Sequence, residues 1–274
     1  RSKMRHGADV NCKNKRGESP LWWALKNDKN DLAKLLVNSF ADINFKYRKT
    51  TVLEFACKKG NYDLIKLLFD NNITIDRSNN PLWIILNSKD MDIACKNELA
   101  KLSLQHEIDI DKKNWGETFL TFAVKENNLC LVKSLISNNK NNVNINEKNV
   151  YDESPWWISI YNSCREITQY VIENNADVDC VDLSNSTPLI YAINQNDIEL
   201  LKMLIQNGQN KANVNKANDK SPLWWAIIQN KKDIIKILVE NGADIDKEYG
   251  GETPLMYAAR KGDMKLVEFF VNNK

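Results

Sequence analysis

The chain has 274 residues, of which 43% are hydrophobic and 27% charged, the make-up of an ordinary globular protein. Its 38 Lys and Arg against 36 Asp and Glu leave a net charge of +2, so bulk charge gives no reason to expect nucleic acid, and no basic run points to a membrane surface. No apolar stretch approaches a membrane span, and the first residues do not read as a signal peptide.

In chain order, residues 1–13 read as the tail of a repeating unit, ending His6-Gly7-Ala8-Asp9-Val10-Asn11. Ser19-Pro20-Leu21-Trp22-Trp23-Ala24 then opens a helix, and Leu32, Leu35 and Leu36 mark the buried face of a second one. Thr51-Val52-Leu53 repeats the opening, with Leu64, Leu67 and Leu68 behind it. Asn80-Pro81-Leu82, Thr118-Phe119-Leu120, Ser154-Pro155-Trp156 and Thr187-Pro188-Leu189 follow. Ser221-Pro222-Leu223-Trp224-Trp225-Ala226 nearly copies the first opening, and Ile234, Ile237 and Leu238 lead from it to Gly242-Ala243-Asp244. Thr253-Pro254-Leu255 closes the series.

All six prolines stand at one place in this unit, directly after a Ser, Thr or Asn. That pair is an N-cap followed by Pro at the first helical position, where its missing N–H costs nothing. The Gly of Gly-Ala-Asp suits the left-handed residue that ends the second helix. Each unit is therefore helix, tight turn, helix and hairpin-like loop, with a period of about 33 residues.

In these residues the chain resembles the ankyrin-repeat family, whose unit runs G-x-T-P-L-H-x-A-A to G-A-D-V-N. Gly251-Glu252-Thr253-Pro254-Leu255-Met256-Tyr257-Ala258-Ala259 and Gly242-Ala243-Asp244-Ile245-Asp246 match it best. The resemblance implies an all-α solenoid of helix-turn-helix units joined by hairpin-like loops. On it, residues 1–274 form a single domain: a partial repeat at 1–13, then repeats at 14–45, 46–77, 78–112, 113–147, 148–181, 182–215, 216–247 and 248–274. Other helical-pair solenoids lack both the Pro-opened helix and the Gly-Ala-Asp exit. Neither end resembles a solenoid's polar cap, so a segment of a longer protein is expected.

The departures are specific. The His of T-P-L-H is absent, and Trp22, Glu54, Trp83, Thr121, Trp157, Ile190, Trp224 and Met256 stand in its place. The third repeat gains residues between its helices near Lys89 to Asn97, and the fourth and sixth are lengthened at Asn139–Asn142 and Gln209–Lys211. Local irregularity is expected there.

No catalytic constellation is written in the sequence. Its nine glycines all serve turns of the repeat, no phosphate-binding or nucleophile-elbow motif occurs, and His6 and His106 have no partner group. Six cysteines without a C-x-x-C pair give no zinc site of standard spacing; reduced thiols packed as small core residues of a cytoplasmic protein are expected. No enzyme activity, metal or cofactor is expected.

The resemblance directs attention to the loop tips and the concave inner-helix face. By register, Lys15, Arg16, Tyr47, Arg48, Trp115, Tyr151 and Tyr249 project at the tips. The column after the missing His reads Trp23, Phe55, Ile84, Phe122, Ile158, Tyr191, Trp225 and Tyr257. This column either packs against the neighbouring inner helix or touches a partner, and apolar residues at helical spacing favour packing. In the pairs Trp22/Trp23 and Trp224/Trp225 the first is expected buried and the second more exposed, while Trp156 and Trp157 should both be buried. Lys26, Lys58, Lys59, Lys125, Arg260 and Lys261 end the inner helices, as compensation of the helix dipole or as a border for an acidic peptide. The leading reading is a monomeric scaffold that binds a partner protein, with no nucleic acid and no membrane insertion. A small-molecule or nucleotide module using stacked aromatics, or a structural spacer, is the alternative.

Overall fold

The computed structural model of the chain describes residues 8–75, 80–89, 91–106, 110, 113–138, 143–206, 210–216 and 220–273. His6, Gly7, Gly208, Gln209 and the lengthened segment 139–142 lie outside the described residues. The first repeat holds α1 (Pro20–Lys26) and α2 (Asn30–Asn38), and a two-residue hairpin of β1 (Lys46–Tyr47) and β2 (Thr50–Thr51) leads into α3 (Val52–Lys58) and α4 (Tyr62–Asp70). The strands are antiparallel, with Lys46 opposite Thr51 and Tyr47 opposite Thr50. There follow α5 (Pro81–Leu86), α6 (Ile93–Leu104), α7 (Phe119–Lys125), α8 (Leu129–Ile136), α9 (Pro155–Tyr161) and α10 (Arg165–Glu173). The series ends with α11 (Pro188–Gln195), α12 (Ile198–Gln206), α13 (Pro222–Ile228), α14 (Lys232–Glu240), α15 (Pro254–Lys261) and α16 (Met264–Asn272). Odd-numbered helices are the inner ones and even-numbered the outer.

The inner helices start where the caps dictate. The side chains of Ser19, Ser154, Thr187, Ser221 and Thr253 each accept a hydrogen bond from the backbone N–H three residues on, with Pro at the first helical position. Such a cap contributes about 1 kcal/mol. The helix α3 has Val52 in place of Pro and carries a full capping box instead. Glu54 N–H donates to Thr51 Oγ1 at 3.1 Å, and Thr51 N–H donates to Glu54 Oε2 at 3.1 Å. Glu54 occupies the missing His position, where its carboxylate completes the cap of its own helix.

By its internal packing the chain divides into two units, residues 1–119 with 130–143 and residues 120–129 with 144–274. In the first, Leu21, Trp22, Ala24, Val52, Leu53, Ala56, Leu64, Leu68, Ile85 and Leu99 belong to one core. In the second, Trp156, Val171, Leu189, Ile193, Leu200, Leu204, Ile234 and Leu238 are buried. Each such Leu or Ile contributes roughly 1.5–3 kcal/mol by leaving water.

The turns after the outer helices are stitched by a relay of short polar side chains. Asp42 Oδ1 accepts from Asn44 N–H at 3.0 Å, and Asn44 Oδ1 then accepts from Thr74 N–H of the next repeat at 2.9 Å. Asn11 does the same for Asp42 N–H at 2.7 Å, Asn146 for Asp177 N–H at 2.8 Å, and Asn215 for Asp244 N–H at 2.8 Å. Asn11, Asn44, Asn146 and Asn215 thus each satisfy a backbone donor one repeat away.

The expected irregularities have defined forms. Helices α5 and α6 are separated by residues 87–92, of which 90 lies outside the described residues, where α3 and α4 are separated only by residues 59–61. Part of the insertion extends α6 itself, which has 12 residues against 9 in α4. In the sixth repeat Asn210 donates its side-chain amide to the carbonyls of Ile172 and Ala176 at 3.0 and 2.8 Å. Asn138 donates similarly to Leu104 at 2.6 Å in the fourth. In the fourth and sixth repeats, then, an Asn beside the added residues holds the chain to the previous outer helix.

Candidate functional site

Two classes of loop carry the tip residues. In the first, an Asn or Asp cradles the turn with its side chain. Asn14 Oδ1 accepts from the N–H groups of Arg16 and Glu18 at 2.9 and 3.0 Å. Asn149 does so for Tyr151 and Glu153 at 2.9 and 3.0 Å, and Asp182 for Ser184 and Ser186 at 2.9 and 2.8 Å. These loops hold Lys15, Arg16 and Tyr151 exposed.

In the second class the chain reverses in two residues, both with positive φ: Arg48-Lys49 at 46° and 71°, Trp115-Gly116 at 53° and 82°, Gly250-Gly251 at 62° and 80°. This is the turn whose twist suits a hairpin, and it favours Gly or Asn. Trp115 adopts it without glycine's freedom, and its side chain is 89% exposed. The ring does not fold over its own loop. Tyr47 and Tyr249 flank such turns and are only half-exposed, since each ring packs on a tryptophan of the preceding inner helix: Tyr47 on Trp22 at 5.3 Å and Tyr249 on Trp224 at 5.7 Å.

The two aromatic columns separate as expected. Trp22, Trp83, Trp157 and Trp224 are buried, and so is Trp156, while Trp23 is 45% exposed and Trp225 half-buried. Phe55, Tyr191 and Tyr257 are half-buried because each meets the buried tryptophan of the repeat before it. The pairs are Trp22–Phe55 at 5.0 Å, Trp157–Tyr191 at 5.9 Å and Trp224–Tyr257 at 5.6 Å. Phe122 is half-buried as well. The column therefore divides between packing and display, with Trp23 the most open of the residues that the sequence places there.

Four of the six cations that end the inner helices form ion pairs. Lys26 lies 2.7 Å from Glu18, Lys59 3.0 Å from Asp28, Lys125 3.4 Å from Glu153 and Arg260 2.8 Å from Glu252. The Lys26 ammonium, assisted by Asn14, holds the Glu18 carboxyl below its ordinary range, and the Arg260 guanidinium does the same for Glu252. These partners were not foreseen from the sequence: Glu18 and Glu252 stand just before the same helix, whereas Asp28 and Glu153 come from the neighbouring repeats. They weaken the reading of a basic border for acidic peptides.

His106 follows α6 and stacks obliquely on Phe69 at 5.3 Å, a packing role. Of the cysteines, Cys57 and Cys164 are buried as expected, and burial pushes both thiols up. Cys12 and Cys130 are exposed, which corrects the expectation of core thiols for these two, because they stand in an inter-repeat turn and on an outer-helix surface. Among the described residues no helix is long and apolar enough to cross a membrane.

The family model for ankyrin repeats (3 copies) matches residues 3–79, 91–182, 120–216, 157–249 and 189–274. A putative ankyrin repeat protein of Fowlpox virus (strain NVSL) is 33% identical over 106 residues, 38% of this chain and 27% of its own length. One from Acanthamoeba polyphaga mimivirus is 23% identical over 219 residues, covering 74% of this chain and 27% of the relative. The chain thus spans about a quarter of the length of these curated relatives. Among solved structures, the ankyrin repeat domain of Bcl-3 aligns with a TM-score of 0.51 at 20% identity, covering 92% of this chain and 99% of that one. Ankyrin repeats are in general protein–protein interaction modules and typically not enzymes. With matches along most of its length and helix pairs in the matching register, the chain belongs to the ankyrin-repeat family.

Proposed function

We propose that residues 1–274 act as a monomeric, cytoplasmic ankyrin domain that binds a partner protein through its loop tips and the open positions of its inner-helix face. The observation that carries this reading is Trp115. A bulky side chain held at positive φ is strained, and such strain persists where it serves a role. A tryptophan at 89% exposure also forgoes the burial that would stabilise it. Arg16, Arg48 and Tyr151 are displayed on the other tips, and Trp, Tyr and Arg are the residues that dominate protein interfaces. Lys15 and Trp23 in the first unit and Trp225 in the second are further contact positions in this reading. The near balance of charge favours a protein over nucleic acid as partner.

The nucleotide alternative needs open aromatic faces in a row. Phe55, Tyr191 and Tyr257 instead spend theirs on neighbouring tryptophans, which disfavours it.

The test compares capture of a partner by the intact chain and by an Arg48/Trp115/Tyr151→Ala variant with unchanged helical circular dichroism. Tyr47 is left intact because it packs on Trp22. Loss of a specific partner from the variant is the expected result. Equal capture by both proteins contradicts the loop-tip reading.

A further inference from the structure

In the first and eighth repeats an acid before the inner helix pairs with a cation eight positions on, Glu18 with Lys26 and Glu252 with Arg260. The fifth repeat has the acid without the cation. Its acid is Glu153, and eight positions on stands Tyr161. The phenol donates instead to Asp182 Oδ2 of the next loop at 2.8 Å.

A cavity of about 230 Å3 lies between the fifth and sixth loops, lined by Asp152, Glu153, Trp157, Tyr161, Asp182 and Leu183 among others. Tyr161 forms its accessible aromatic wall at 45% exposure. Behind it Trp157 stacks at 5.2 Å and 24°, and Tyr191 meets Tyr161 edge-on at 5.4 Å. The ring cannot swing freely, because Asp182 holds its hydroxyl and Trp157 supports its face.

Acidic groups surround this wall. Lys148 lies 2.8 Å from Asp152 and Lys125 3.4 Å from Glu153, while Asp182 takes its hydrogen bonds from the Tyr161 phenol and the N–H groups of Ser184 and Ser186. Burial, followed by the hydrogen bond to Asp182 and that carboxylate's charge, pushes the Tyr161 phenol well up, so it remains a donor to Asp182.

The cavity is smaller than the ~300–1,000 Å3 that encloses a small-molecule ligand, and its size suits one side chain. A cation over an electron-rich ring, with carboxylates beside it, is favoured by both the ring quadrupole and charge-assisted hydrogen bonds. A guanidinium satisfies both at once, stacking with its plane on the ring while its in-plane donors reach carboxylates on two loops; an ammonium has no such plane. We propose that this cavity receives an arginine side chain of a partner protein. The inference rests on the protein-binding reading for the nature of its ligand, but on none of the loop-tip residues.

The test follows the ring resonances of Trp157 and Tyr161 by NMR while acetyl-Gly-Arg-Gly-amide is added to the intact chain. Its citrulline and lysine counterparts are titrated in parallel. The arginine peptide should bind about tenfold more tightly than the uncharged citrulline one and more tightly than the lysine one, a tenfold ratio corresponding to 1.4 kcal/mol. Asp182→Asn keeps an oxygen for the Ser184 and Ser186 N–H groups, so the loop should hold; it should weaken arginine binding about tenfold. Tyr161→Phe, which keeps the ring, should weaken it less than Tyr161→Ala. Equal binding of citrulline, equal or tighter binding of lysine, or no effect of Asp182→Asn overturns the assignment. Failure of the peptide alongside partner capture that still depends on the loop tips overturns this inference alone. Peptide binding with capture indifferent to the loop tips supports it and overturns the other reading.

Discussion

The indole N–H of Trp224 donates to the backbone carbonyl of Lys247 at 2.6 Å, at the point where the next repeat begins. Its ring also meets Tyr249 and Tyr257, as Trp22 meets Tyr47 and Phe55 at the same sequence offsets. A large ring at the position the family gives to His thus couples one repeat to the loop and inner helix of the next.

Removing that ring should cost far more than removing its neighbour. Trp224→Ala is expected to lose about 3–5 kcal/mol, the range for deleting a buried aromatic. Trp23→Ala, at 45% exposure, should lose less than about 1 kcal/mol. Urea unfolding midpoints measure both, and equal losses would contradict the division of the two columns.

Trp115 gives a prediction in which stability and binding move in opposite directions. Asn tolerates the left-handed region that Trp115 is forced into, so Trp115→Asn should leave the fold unharmed or raise its stability by up to ~1 kcal/mol. The same change should lower partner affinity. A thermal melt and a binding titration on one preparation decide it.

Thr51 and Glu54 start α3 without a proline. Thr51→Ala should cost ~1 kcal/mol and lower the helical signal of this region. Thr51→Ser keeps the hydroxyl acceptor and should recover most of the loss. No difference between the two would mean that the capping box contributes nothing.

The relay through Asn44 is open to the same treatment. Asn44→Ala leaves Thr74 N–H without its side-chain acceptor and removes the partner of Thr74 Oγ1. Both groups are exposed to water, so the expected loss is modest, about 0.5–1.5 kcal/mol by denaturant midpoint.

Glu252 and Arg260 predict a pH dependence with a definite sign. Arg260 lowers the folded-state pKa of Glu252, so the pair stabilises the fold above the ordinary glutamate value of ~4.3. That contribution is lost as pH falls through the lowered folded value. An NMR titration should place Glu252 below ordinary glutamates in the intact chain and nearer to them in Arg260→Gln. Coincident titrations would remove the ion pair from the account.

Helix starts and the repeat period were readable because a cap residue and proline act locally, within one turn of Ser19, Thr187 or Thr253. The burial order of Trp22 and Trp23 followed from helical spacing. The ring pairs and the Asn relay were not readable, because each joins residues about one repeat apart whose distance depends on how repeats stack. Tyr161 shows the same limit: its chemistry depends on Asp182, which belongs to another loop. The strain at Trp115 was also hidden, since a Trp-Gly pair does not announce positive φ at its first residue.

Site-specific photo-crosslinking tests the central claim most directly, with a photoreactive phenylalanine placed at Trp115 in one protein and at Leu35 in another. Leu35, which the helical spacing places on the buried face, is instead 61% exposed on the outer helix α2, whose buried residues are Ala33 and Val37, so accessibility alone cannot separate the two sites. Crosslinks to one protein partner from position 115 and none from position 35 are the predicted result. Crosslinks from position 35 alone would place the binding surface on the outer helices and contradict the account.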